Sequence, residues 1–429
     1  MKKYLIFVLM LVNLVFAQEK LNLEECLKIA MENNPDIALA SLDVQSAQFG
    51  IRGSYSGILP GISTGLSWSH RNQGEREYYV GGIKQIQPET SSNSYGFGIN
   101  YRQTLYDGGG WWNQIKLAQN SYENALVAKK QTKQNLKAYV TQQYYSILKA
   151  QKLLSVYESS LKTSEQQLKK TKEMFELGQA AKKDFLKAKV QQGNDKLNII
   201  QQKRQIVSLK NELASLMAYK NKNFEIVEEE YVTPGEYKKN TALARAMDNN
   251  IELRSLKFQK KNARLQHDLA RSNLLPNLST NLSYSRGGSK AERVYSDFDK
   301  FWNTSIGLDF SIPLFQGFNT RTEIQQAKIN YEQYDSRIER KQLEINKQVK
   351  NLIEELDTYN QMLEINQLNL ESAREDLRSA QEMYRLQTAT MLEVLDAQAN
   401  LTQAKANLIT TKYDAKIAEV NLEYLLGAL

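Results

Sequence analysis

The chain has 429 residues, 56 Lys and Arg against 48 Asp and Glu, a formal charge of +8, two histidines and one cysteine. The basic excess is spread among Glu and Gln along the chain, which argues against nucleic acid as a partner. One cysteine excludes an internal disulfide framework, and two histidines are too few for a catalytic or metal constellation, so no enzyme, cofactor or metal is expected.

The N-terminus MKKYLIFVLMLVNLVFAQEK carries Lys2 and Lys3, an apolar run from Tyr4 to Phe16 broken by Asn13, and Val15 and Ala17 before Gln18. This predicts a secretory signal peptide over 1–17. A spanning anchor needs about 20 apolar residues, more than the run supplies. Cys26 lies too far from the cut to carry a lipid at the new N-terminus.

The only prolines are Pro35, Pro60, Pro88, Pro234, Pro276 and Pro313, so 89–233 and 314–429 contain none. Such runs, rich in Gln, Lys, Leu and Glu, predict long solvated helices. Before them the period is two. Ile62, Thr64, Leu66 and Trp68 alternate with small or polar residues, as do Tyr95, Phe97, Ile99 and Tyr101. These predict strands at about 60–69 and 95–105, apolar on one face. A half-buried soluble sheet and an outer-membrane barrel both fit; the small polar second face favours a barrel with a wet lumen. Aromatic residues around the strands, among them Trp68, Tyr95, Trp111, Trp112, Tyr284 and Trp302, fit either interfacial girdles or sheet packing.

The helical run that follows breaks at MFELGQAAKKDF, residues 174–185. Gly178 can supply the positive φ of a helix C-terminus, and Asp184 suits the first turn of a returning helix. A hairpin turn at about 177–183 results.

Everything then recurs. AMENNPDI at 30–37 parallels AMDNNIEL at 246–253, and LPGISTGLSWS at 59–69 parallels LPNLSTNLSYS at 275–285, both shifted by 216 positions. From Gly98/Gly307 onward the shift is 209, and MYRLQTATMLEV at 383–394 repeats the first turn. The change of seven falls inside 70–94, in a tolerant loop. The second copy, 230–429 after a first of 18–229, predicts strands at about 277–286 and 302–312 and a turn at about 386–392. From Ile345 through Val349, Leu356, Leu370 and Leu377 to Tyr384, apolar positions step by four and three as in a coiled coil, with Asn366 interrupting them. Gln387 replaces the glycine, so the second turn is expected to be built differently.

Leader, duplicated strand pairs, very long helices and twin turns together resemble the TolC-like outer-membrane channel family, the exit ducts of tripartite efflux pumps and type I secretion systems. The resemblance implies an α+β membrane protein: a homotrimer whose twelve strands close one barrel in outer-membrane lipid, over a periplasmic tunnel of antiparallel coiled-coil helices. It implies a periplasmic adaptor docking at Leu177, Gly178, Gln179 and Ala180 and at Leu386, Gln387, Thr388 and Ala389, and an inner-membrane transporter. Glu393 and Asp396 fall where the family places acidic rings at the tunnel constriction; ordinary helix N-terminal carboxylates are the alternative. Asp184 and Tyr384 match positions that hold the tip shut. Ala389 occupies the place of the expected arginine, which leaves Lys182 or Lys183 as substitutes. The runner-up is an extended trimeric coiled-coil structural or adhesive surface protein, which explains the heptads but neither the strand pairs nor the twin turns.

GISTG at 61–65 fits the serine-hydrolase elbow pattern, but Ser63 falls inside an alternating strand and the second copy reads NLSTN.

Overall fold

The computed structural model describes residues 19–220, 224–228 and 231–428; the leader expected over 1–17 lies outside the described residues. Two compact units divide the chain, one of Met1–Ser41, Val127–Arg254 and Glu339–Leu429, the other of Leu42–Leu126 and Ser255–Ile338. Several helices contribute residues to both.

The first unit holds the helical hairpins. Helix α1 (Leu23–Asn33) starts on a capping box, in which the Asn22 side chain accepts from Glu25 N at 2.8 Å and Glu25 returns the bond to Asn22 N at 2.9 Å. Helix α2 (Pro35–Ser54) follows at once, with proline at the position that has no intrahelical donor to lose. The long helices are α3 (Gly110–Glu176) and α4 (Lys182–Leu216), then α8 (Asn319–Arg385) and α9 (Met391–Leu425). Helices α3 and α8 have 67 residues each, about 100 Å at 1.5 Å per residue. Leu370, Leu377, Ala380, Val394, Ala397, Leu401, Ala404 and Leu408 close the seam between α8 and α9. Asn366, at the break in that seam, donates to Thr411 Oγ1 at 3.0 Å. A second core gathers Val140, Tyr144 and Ile147 of α3, Leu213 and Met217, Cys26 and Ala30 of α1, and Phe224 and Ile226 of β6 (Phe224–Ile226), which pairs in parallel with β1 (Glu19–Leu21). Helix α5 (Lys239–Asn249) repeats α1, and α6 (Ile251–Ser272) repeats α2.

The second unit holds one antiparallel sheet of β2 (Gly61–Gln73), β5 (Thr90–Tyr106), β7 (Asn277–Gly288) and β8 (Trp302–Ser311), in the order β2-β5-β7-β8. The duplication extends to register: Gly65 faces Gly98 in the first hairpin, and the equivalent Asn281 faces Gly307 in the second. Ser63 faces Asn100 in mid-strand, far from the strand-to-helix elbow that a hydrolase requires. The apolar face of this sheet lies open; Leu66 is 79% and Ile306 81% exposed. Both edges, β2 and β8, lack a neighbour among the described residues.

Inside the variable loop lies a ribbon of β3 (Arg76–Val80) and β4 (Ile83–Gln87), turning on Gly81 and Gly82 at φ 57° and 81°. Two glycines with positive φ make the tight turn whose twist suits paired strands. Beyond β7 a short helix, α7 (Glu292–Tyr295), follows. At the exit of β5, Gly108 has φ 69°, and a Cβ there would lie 2.6 Å from Leu275 Cβ and 2.7 Å from the Ser272 carbonyl oxygen, so glycine alone lets strand and turn approach. No helix among the described residues is long and apolar enough to cross a membrane.

Candidate functional site at the twin turns

The two turns share one backbone. In the first, Gly178 N donates to Phe175 O at 3.0 Å, while Gln179 N and Ala180 N donate to Met174 O at 2.8 and 3.2 Å. In the second, Gln387 N donates to Tyr384 O at 3.1 Å, and Thr388 N and Ala389 N donate to Met383 O at 2.9 and 3.3 Å. Gly178 has φ 70° and Gln387 φ 63°. The expectation of a differently built second turn is therefore wrong. Gln387 takes the left-handed conformation because the hydrogen bonds that close the helix outweigh its Cβ strain, and Thr388 Oγ1 adds a bond to Met383 O at 3.1 Å. Replacing Gln387 with glycine is expected to stabilise the chain by about 0.5–1 kcal/mol, and Gly178→Ala to destabilise it by about 1 kcal/mol, read as shifts of the thermal midpoint.

The helices that leave the turns start differently. Ala181 caps α4 without a side-chain bond, and Lys182 and Lys183 stand exposed in its first turn. At α9, Thr390 and Glu393 form a capping box: Glu393 Oε2 accepts from Thr390 N at 2.7 Å, and Thr390 Oγ1 accepts from Glu393 N at 3.4 Å. The Glu393 carboxylate is thus folded back on its own helix N-terminus, where the exposed amide and the helix dipole hold it. Asp396, three residues on, is exposed and accepts no hydrogen bond among the described residues. Leu177 and Leu386, at matching positions, are exposed at 72% and 58%.

Of the residues expected at the tip, Tyr384 on α8 feels the charge of Asp184 on α4. Burial and the neighbouring Asp184 charge push the Tyr384 phenol above its ordinary pKa, while the Thr171 hydroxyl beside it pulls the other way. The phenol therefore keeps its proton. Phe175 stacks on Phe185 at 6.0 Å and ties α3 to α4 beneath the first turn. Among the described residues, Lys182 and Lys183 form no ion pair.

Two contacts here were not foreseen. Thr171 is fully buried on α3. Gln167 Nε2 on α3 meets Met391 Sδ at the start of α9 at 3.4 Å, joining the first hairpin to the second. Both connect residues more than two hundred positions apart, so no local pattern announces them.

The model of the family described as outer membrane efflux protein matches residues 26–218 and 242–428, one segment in each repeat. The outer membrane protein TolC of Salmonella enteritidis is 26% identical over 424 residues, spanning 95% of this chain and 82% of that protein. The alkaline protease secretion protein AprF of Pseudomonas aeruginosa is 22% identical over 418 residues, 94% of this chain and 83% of that protein. Among solved structures, the Campylobacter jejuni CmeC outer membrane channel superposes with a TM-score of 0.81 at 15% identity, covering 95% of this chain and 85% of that one.

Proposed function

The chain belongs to the outer membrane efflux protein family, and on that footing we propose that it is a passive duct giving exported solutes one aqueous path from periplasm to exterior. The observation that carries the reading is the four-stranded sheet with an open apolar face and two unpaired edges, joined to helices about 100 Å long. An apolar face of this kind suits lipid, but open strand edges are not tolerated there, because each unpaired backbone group costs several kcal/mol in hydrocarbon. Copies of the chain remove the edges by completing one another's sheet. Three copies supply twelve strands for one barrel and six helical turns around one mouth. The chain has no phosphate-binding loop, so energy comes from an inner-membrane transporter, coupled through a periplasmic adaptor that docks at Leu177–Ala180 and Leu386–Ala389.

Purified protein in a planar bilayer is expected to give discrete single-channel steps. Silence there would return the chain to the coiled-coil adhesin reading, which leaves the paired strands without a purpose.

The duplication also supplies a latch. Within one chain Gln167 of α3 meets Met391 of α9. Moved by one repeat, the same contact sets Asp376 of α8 against Lys182 of α4 in the next copy; both are exposed in the single chain. Opposite charges at that place hold neighbouring copies together at the mouth, with a lysine doing what Ala389 cannot. Reversing either charge, Asp376→Lys or Lys182→Asp, is expected to raise the resting conductance roughly severalfold, since exposed pairs are individually weak but act in three copies. The double reversal is expected to restore it. No recovery in the double variant would separate the two residues.

A further inference from the structure

Helix α4 turns Ala188, Asp195, Ile199, Ile206 and Leu213 into buried positions. Four are apolar, and the remaining one is a carboxylate only 3% exposed. Its Oδ1 accepts from Gln191 Nε2 at 3.1 Å and from Ser160 Oγ of α3 at 3.4 Å. Ser160, itself buried, accepts from Thr402 Oγ1 of α9 at 3.2 Å. Asp195 Oδ2 is buried and has no partner. One turn from Thr402, on α9, Gln398 is 7% exposed and its Oε1 likewise has no donor. The ion pair that joins α3 and α4 nearby, Lys203 with Glu158 at 3.9 Å, leaves Asp195 out.

The second repeat tells what this position needs for folding. The residue equivalent to Asp195 is Ala404, packed in an apolar seam with Leu370, Leu377 and Leu401. A hairpin of this design therefore closes without a carboxylate. Burying one with half its hydrogen-bonding capacity unused is expensive, and the cost falls when a counter-charge is bound.

We infer that Asp195, Ser160, Thr402 and Gln398 form a binding site for a small hard cation, sodium in first place, that staples the first hairpin to α9. The donors are all oxygen: one carboxylate, two hydroxyls and an amide carbonyl. Soft metals call for nitrogen or sulfur, and no group of three His, Cys, Asp or Glu side chains able to hold a metal ion occurs among the described residues. Calcium sites recruit more oxygens and usually more carboxylates than one. A single formal charge matches a monovalent ion. Loss of the ion leaves Asp195 uncompensated at the place where α3, α4 and α9 meet, so the seam between hairpins becomes easier to part. The site does not depend on what the duct carries.

The test uses the full-length protein in detergent, with thermal midpoints followed in sodium chloride and in choline chloride at equal ionic strength. Each tenfold rise in sodium is expected to raise the midpoint by about 1–2 °C once the site begins to fill, with no such rise in choline. Asp195→Ala, which copies the second hairpin, and Asp195→Asn are both expected to fold and to lose the sodium increment. Glu339→Gln, on α8, exposed and 59 positions from Gln398, is expected to keep it. Equal midpoints of the wild-type protein in sodium and choline would overturn the inference in favour of a buried water or a hydrogen-bond lock. An increment that survives Asp195→Ala would overturn it as well.

Discussion

A protein carrying cysteines at Ser67 and Asp309 is expected to run almost entirely as a covalently closed trimer after mild oxidation, whereas either cysteine alone leaves monomers. The pairing follows from the repeat. Inside one chain β5 pairs with β7 so that Asn100 faces Ser283. Strand β8 is the counterpart of β5, at a shift of 209, and β2 that of β7, at a shift of 216. The seam between copies must then set Asp309 opposite Ser67 of the next copy. Directly opposed antiparallel residues have Cα atoms about 4.5–5.5 Å apart, within the range of an unstrained disulfide. A slip of one residue turns every apolar side chain of an edge strand to the wrong face, so only even shifts compete. Cysteines at Ser67 and Gly307, two positions out of register, test that case and are expected to cross-link poorly. The native Cys26 is buried in the helical core and is a poor competitor. If Ser67 and Asp309 fail to link while the shifted pair succeeds, the repeat does not dictate the seam; if neither pair links, the copies do not close one sheet.

The same repeat explains what the sequence displays and what it hides. Alternation at Ile62–Trp68 and Leu278–Tyr284 reveals strands because a sheet with one apolar face forces a period of two. The heptads from Ile345 to Tyr384 reveal a helix pair because one seam has to stay dry. These signals are local and repeated. The ribbon at Arg76–Gln87 was legible in its Gly81-Gly82 pair, yet a region already marked by an insertion reads first as a plain loop. Gln387 misleads for another reason: propensity ranks residue types in isolation, whereas four backbone bonds fix the turn around it. Tyr384 feels the charge of Asp184, but its buried neighbour Thr171 lies on another helix and no spacing discloses it. Asp195 is the clearest case. A charge in a seam position breaks the heptad rule, and only contacts with Ser160 and Thr402 give that break a chemical meaning.

Glu393 and Asp396 are not expected to contribute equally to ion selectivity. With a salt gradient across a bilayer, Asp396→Asn is expected to lower the cation preference of the open channel severalfold, while Glu393→Gln changes it little. The reason is the capping box. Glu393 Oε2 is engaged by Thr390 N at 2.7 Å, so its charge is spent on the amide and positive end of α9. Gln at that position preserves the box, because an amide oxygen can take the same bond, and so removes charge without undoing the helix start. Asp396 lies one turn further along α9, exposed and without a hydrogen-bond donor among the described residues. Three copies in a narrow mouth would place three such carboxylates around one path, where a charged ring attracts cations and excludes anions. Thr390→Ala, which opens the box, is expected to cost about 1 kcal/mol of stability and to free Glu393. In that background Glu393→Gln should begin to lower selectivity, a dependence that a simple pair of stacked rings does not predict. Equal effects of Glu393→Gln and Asp396→Asn in the wild-type background would mean that the box opens when the copies assemble; no effect of either would move the selective constriction away from α9.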